Sequence, residues 1–179
     1  MKNLEDYVRV TEVLSHFSGI KNIPPQILQN AAERGTRVHE ICDAIINDMG
    51  AFDVSENLRG YIDSFNYFLN GKRFIEKPER FFCDKYKISG ECDGIYEDKG
   101  NLILVDFKTS SRENKTWRLQ GSAYSYLAKL YGYNISRIEF VKLCSEGSSP
   151  KIFFYQEDFE TFLKCLDVYN LFFKNNKPT

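Results

Sequence analysis

The chain has 179 residues, 42% of them hydrophobic and 15% aromatic, with a formal net charge of −1 and a sequence pI near 6.2. That length and apolar content suit one domain with a substantial core and exclude a disordered chain. The near-neutral balance excludes a wholly basic nucleic-acid coat, but not an enzyme whose acidic site offsets basic binding residues.

Residues 1–30 read as a short helix or turn and a loop, with Pro24-Pro25 placed to start a helix at Gln26. Between Ala31 and Met49, the residues Val38, Ile41, Cys42, Ile45 and Met49 recur at three- and four-residue steps. This spacing predicts a helix stopped by Gly50. Gly35 either weakens its first part or permits a close approach there. Residues Glu56 to Leu69 repeat the helical pattern until Asn70-Gly71. From Arg73 to Phe107 the chain reads as β, with Phe74-Ile75 and Arg80-Phe81-Phe82 ahead of a hairpin that turns at Asp98-Lys99-Gly100-Asn101. A helix over Thr116–Tyr131 follows, then strands near Arg137–Leu143 and Lys151–Tyr155 around a turn-rich stretch. A last helix covers about Gln156–Phe173, ahead of a polar tail. The order α-α-β-β-β-α-β-β-α predicts one mixed α/β domain, a central mixed sheet flanked by helices. Residues 1–30 form its N-terminal part, 31–70 its helices, 73–143 the catalytic core and 150–174 a C-terminal strand and helix.

No apolar run approaches 18 residues and Met1–Asp6 lacks a signal core, so neither a membrane span nor a leader is expected. The five cysteines, Cys42, Cys83, Cys92, Cys144 and Cys165, are odd in number and include no C-x-x-C pair. Reduced thiols in a cytoplasmic setting, with no iron–sulfur cluster, are the expectation.

The chemistry gathers around the hairpin. Closure on Lys99-Gly100 sets Glu97 opposite Leu102, Ile95 opposite Leu104 and Asp93 opposite Asp106. Opposed residues have Cβ atoms about 5 Å apart, so the two carboxylates would repel unless a cation joins them. Lys108 shares a face with Asp106 because side chains alternate along a strand. Hard divalent cations take oxygen ligands, and two carboxylates plus water make a normal Mg²⁺ or Mn²⁺ site. Lys108 would then hold an attacking water or stabilise charge on a phosphoryl oxygen. Glu91 falls on the same face, opposite Lys108, and reads as an ion-pair partner. The segment Ser110–Arg118 carries Arg112, Lys115, Trp117 and Arg118, a basic stretch with one aromatic that suits backbone contact and base stacking. A charged loop with Trp117 covering the core edge is the alternative. Arg34 and Arg37 fit either phosphate contact or solvated charge, and His16 reads as structural.

Four stretches resemble motifs of the PD-(D/E)XK nuclease superfamily, in particular its RecB-like and phage exonuclease branch. They are Glu33-Arg34-Gly35-Thr36-Arg37-Val38-His39, Gly90-Glu91-Cys92-Asp93-Gly94, Val105-Asp106-Phe107-Lys108-Thr109-Ser110 and Gln120-Gly121-Ser122-Ala123-Tyr124. Each is loose alone; four in the family's order are jointly specific. The resemblance covers most of the chain and implies a restriction-endonuclease-like core. It implies that Asp93, Asp106 and the backbone carbonyl of Phe107 ligate metal, with His39 as a further ligand or orienter. Lys108 would orient the nucleophilic water, and Gln120 and Tyr124, one helical turn apart, would line the site or contact DNA. Glu79 resembles the acidic residue placed just before the first core strand. The implied activity is divalent-metal-dependent hydrolysis of DNA, as an exonuclease in recombination, repair or phage DNA processing. A structure-specific endonuclease and a non-catalytic nucleic-acid- or protein-binding member of the fold are the alternatives. The implied partners are DNA and either further copies of the chain or a separate recombination protein, in the cytoplasm or, for a viral protein, the host cytoplasm.

Overall fold

The computed structural model describes residues 3–19, 23–49 and 53–174. After a single 3₁₀ turn at Leu4–Asp6, a two-residue strand β1 (Val8–Arg9) leads into a short helix α1 (Val10–Ser15). A long helix α2 (Pro25–Ile46) and a second helix α3 (Glu56–Leu69) follow. Next come β2 (Arg73–Phe74), β3 (Phe81–Cys83), β4 (Ile88–Gly90), β5 (Gly94–Asp98) and β6 (Asn101–Lys108). Helix α4 (Trp117–Lys129), β7 (Ile135–Lys142), β8 (Lys151–Tyr155) and α5 (Phe159–Phe172) complete the domain.

The expected mixed sheet is present, in the order β2-β5-β6-β7-β8. Its β6–β7 pair is parallel, joined through α4, and its other pairs are antiparallel. A second, three-stranded sheet, β1-β4-β3, was not anticipated. Its strands are two or three residues long, too short for alternation to declare them, and β1 pairs in parallel with the distant β4. Residues Val10, Val13 and Leu14 of α1 are buried, so the N-terminal segment belongs to the core rather than to a loop.

The helix expected from Ala31 begins earlier and ends earlier. Pro25 occupies its first turn, where a missing N–H costs nothing. It stops at Asn47 rather than Gly50, which lies outside the described residues. Asp48 takes a left-handed φ of 52°, its N–H bonds to the Ile45 carbonyl, and the Met49 N–H reaches the Ala44 carbonyl. That pair of bonds forms a Schellman stop with Asp in the place usually held by Gly. Met49 is consequently exposed and not part of the apolar stripe.

The hairpin closes as read. Lys99 and Gly100 have φ of 51° and 81°, a two-residue turn whose twist matches the strands. Glu97 pairs with Leu102 and Ile95 with Leu104. Alternation along β6 then divides the core. Ile103, Val105 and Phe107 face α2 and α3, where Phe107 meets Phe65 and Phe68 edge-on. Leu104 faces the other way, into the layer formed by α1, α4 and α5. Asp106 and Lys108 continue the Leu104 side, so the apolar pattern itself aims them at α4. Among the described residues, no helix is long and apolar enough to cross a membrane.

Candidate active site

Asp106 sits at the end of the central strand and is 3% exposed. Lys108 Nζ lies 2.6 Å from its Oδ2. Gln120, one turn into α4, bridges the pair: its Nε2 donates to Asp106 Oδ1 at 3.2 Å and its Oε1 accepts from Lys108 Nζ at 3.3 Å. The same Nε2 approaches Tyr124 Oη at 3.1 Å. Tyr124 is both core and site, because its ring packs over Gly90. A Cβ at Gly90 would stand 2.7 Å from that ring, so only glycine lets α4 settle this close to β4. Gly35 has no such role, since a Cβ there would make an ordinary contact with Thr109.

The β5–β6 ladder ends at Gly94 opposite Val105, one residue short of the expected Asp93–Asp106 pair. Residues Glu91 to Asp93 leave the strand, and the Asp93 side chain continues the connection: its Oδ2 accepts from the Phe107 N–H. Its Oδ1 accepts from His39 Nδ1 at 2.8 Å, which leaves Nε2 as the nitrogen that can meet a cation. The break also moves Glu91 away from Lys108. Its ion-pair partner is Arg80, at 2.7 Å.

The two carboxylates titrate in opposite directions. Burial pushes Asp106 up to about 6, with the charge of Asp93 adding to it and Lys108 opposing it. Asp93 is held below the usual range: burial works against this, but His39, Lys108 and the Phe107 amide outweigh it. Burial pulls His39 down, yet Asp93 and Asp106 together leave it raised. Burial and the nearby Asp106 charge hold the Tyr124 phenol well above its normal value, so it is a neutral hydroxyl.

The candidate donors, the carboxylates of Asp93 and Asp106 and the imidazole of His39, are of types that divalent cations take. Asp106 Oδ2 is buried and, despite the nearby ammonium, has no donor in hydrogen-bonding alignment. Among the described residues, no three His, Cys, Asp or Glu side chains form a ready-made cage. A divalent cation held there would need water or substrate oxygens to complete its shell.

The residues reading as one constellation from the sequence, His39, Asp93, Asp106, Lys108, Gln120 and Tyr124, all line one cavity of about 560 Å³. Glu79 does not: it is exposed and lines an adjoining hollow that shares Asp93 with the cavity. The expected nucleic-acid contacts fare differently. Trp117 is 5% exposed and stacks on Phe140 at 5.6 Å, so its faces are taken by the core rather than offered to a base. Arg118 is paired with Asp158 and Arg37 with Glu40. Arg34 stands over the Tyr61 ring. Arg112 and Lys115 are exposed but outside the cavity. Besides Lys108, the cations that line it are Arg9, Lys77 and Arg80, which no motif singled out. Arg9 belongs to the small sheet that sequence periodicity did not show, and Lys77 and Arg80 lie beside strands too short to place them.

The architecture, a mixed sheet flanked by helices, is that of the restriction-endonuclease-like class of fold. No family model and no curated protein matches the sequence. Several solved structures share the fold, among them the following two. The crystal structure of SSO0001 superposes with a TM-score of 0.51 at 19% identity, covering 98% of this chain and 80% of that one. An alkaline exonuclease from Laribacter hongkongensis gives 0.50 at 10% identity, covering 93% and 87%.

Proposed function

We propose that the protein is a divalent-metal-dependent nuclease that hydrolyses DNA phosphodiester bonds, acting from strand ends. The observation that carries this reading is the Asp106–Lys108 pair at the end of the central strand, its carboxylate buried and its ammonium half-buried, with Asp93 and His39 beside it. The shared fold of an alkaline exonuclease supports it. Asp93, Asp106 and the carbonyl of Phe107 would hold Mg²⁺ or Mn²⁺, with His39 Nε2 as a further ligand or orienter. When bound, the ion supplies a Lewis acid for a phosphoryl oxygen and lowers the pKa of water.

The chain's own groups do the positioning. Lys108 offers an ammonium at the edge of the cavity to orient the attacking water or stabilise a negative phosphoryl oxygen. Gln120 holds Lys108 and Asp106 in register with each other. The Phe107 amide and His39 hold Asp93 in its charged form. The working set is therefore mostly fixed before substrate arrives, which is where most catalytic gain originates.

Cleavage of end-labelled single- and double-stranded DNA in Mg²⁺ or Mn²⁺ tests the reading. Asp106→Ala and Lys108→Ala are expected to abolish cleavage with the fold intact. Near-full activity in both variants would remove the mechanism. Cutting of covalently closed circles would replace end-directed action with internal cleavage.

A further inference from the structure

The cavity is lined by both signs of charge, and pairing decides what field remains. Asp93 is engaged by His39 and Asp106 by Lys108. Glu91 is engaged by Arg80, and Glu40 by Arg37 from outside the cavity. Asp43 accepts from Asn47 Nδ2 at 3.0 Å, a neutral donor that leaves one negative charge beside the two cations that follow. Among the described residues, two lining cations have no carboxylate within ion-pair distance: Arg9 and Lys77.

Their surroundings add a second, independent sign. Arg9 ends β1 in register with Ser89 of β4. Ser89 lines the same cavity and is fully buried, yet its Oγ has no hydrogen-bond partner. Buried hydroxyls are nearly always satisfied, and one that is not, beside an unmatched guanidinium, fits an acceptor brought by a ligand. Lys77 lines the same cavity, and its Nζ makes only a long contact, 3.5 Å, with the Pro78 carbonyl.

We propose that Arg9, Lys77 and Ser89 form a phosphate subsite distinct from the Asp106–Lys108 centre. It holds a second phosphate of the strand being cut. This rests on the nuclease reading and names how that site takes its substrate. Two cations and a hydroxyl donor match a phosphate's charge and its acceptor oxygens. Contacts to the backbone position a strand without reading its sequence, so these are positioning residues. The phosphate is either an internal diester or a terminal monoester, since both carry the same acceptors.

The test is steady-state cleavage of oligonucleotides by wild type, Arg9→Gln, Lys77→Gln and the double variant, across a salt series. The substrates carry either a phosphate or a hydroxyl at each end. Each single change is expected to raise KM about 5–20-fold with kcat within about two-fold, as lost positioning contacts do. The log–log salt slope should fall by about 0.7–0.9 per cation removed. An effect confined to phosphorylated ends assigns the terminal monoester, and an equal effect on all ends assigns the internal diester. Arg9 is exposed and carries the test alone if Lys77→Gln melts below wild type. A wild type that cleaves while Arg9→Gln and the double variant match its KM and salt slope overturns the subsite and leaves the nuclease reading standing. A fall in kcat at constant KM overturns it equally. A wild type that neither binds nor cleaves DNA overturns the nuclease reading, and the subsite with it.

Discussion

Removing the charge of Asp106 should stabilise the metal-free protein while destroying its activity. Burial raises this carboxyl from 3.8 to about 6 in the folded chain. A group whose folded pKa lies above its unfolded value favours folding fully below the unfolded value, and that contribution disappears as pH rises through the folded one. Wild type therefore carries almost no penalty from Asp106 below about pH 3.5 and nearly the whole of it above about pH 6.5. A shift of about two units at about 1.4 kcal/mol each gives about 3 kcal/mol as an upper bound. The cavity beside Asp106 admits water, which lowers the expected gain for Asp106→Asn to about 1–3 kcal/mol at neutral or higher pH. For a chain of this size that is a rise in Tm of about 2–10 °C. The assay is thermal unfolding of both proteins in EDTA at about pH 4.5 and about pH 8. The variant should melt higher at the upper pH, with the gap shrinking toward zero at the lower. Added Mn²⁺ should raise the wild-type Tm and leave Asp106→Asn nearly unmoved. A variant less stable than wild type at high pH, or a gap independent of pH, would refute the argument that burial dominates this carboxylate.

Three further outcomes follow from packing. Gly90→Ala places a Cβ against the Tyr124 ring and should cost about 1–3 kcal/mol in denaturant titration, with activity falling because Tyr124 carries Gln120. Lys99→Asn relieves a left-handed φ of 51° at the hairpin turn; a gain of about 0.5–1 kcal/mol with unchanged activity is expected from the same titration. Trp117→Ala removes a core aromatic stacked on Phe140 and should cost about 3–5 kcal/mol in global stability. If Trp117→Ala weakened DNA affinity while leaving Tm unchanged, its assignment to the core would be wrong.

The hairpin was legible in the sequence because two signals agree there. A Lys-Gly turn sets the pairing, and an apolar run on each arm, Ile95-Tyr96 and Leu102-Ile103-Leu104-Val105, agrees with it. The position of Asp106 and Lys108 follows from the same alternation. What periodicity missed is of two kinds. The β1-β4-β3 sheet is built from strands too short to show a period, and its parallel pairing joins segments about 80 residues apart. The departure of Glu91 to Asp93 from the strand is invisible because a carboxylate that replaces a backbone partner leaves no compositional trace. Trp117 shows the reverse case: its basic neighbourhood fits a nucleic-acid face or a core edge equally, and the ring follows the helix stripe and turns inward.

Phe107 ties chemistry to architecture through a single residue. Its ring is wedged among Phe65 and Phe68 while its amide fixes Asp93. The acidic centre thus has no hinge of its own, and the carboxylate cannot wander unless the aromatic layer beneath it loosens. Local opening elsewhere on the surface leaves such a centre untouched, whereas any breach of that layer dismantles it at once. The centre is therefore an all-or-none property of the folded domain, appearing when α2, α3 and the central hairpin come together and vanishing when they part.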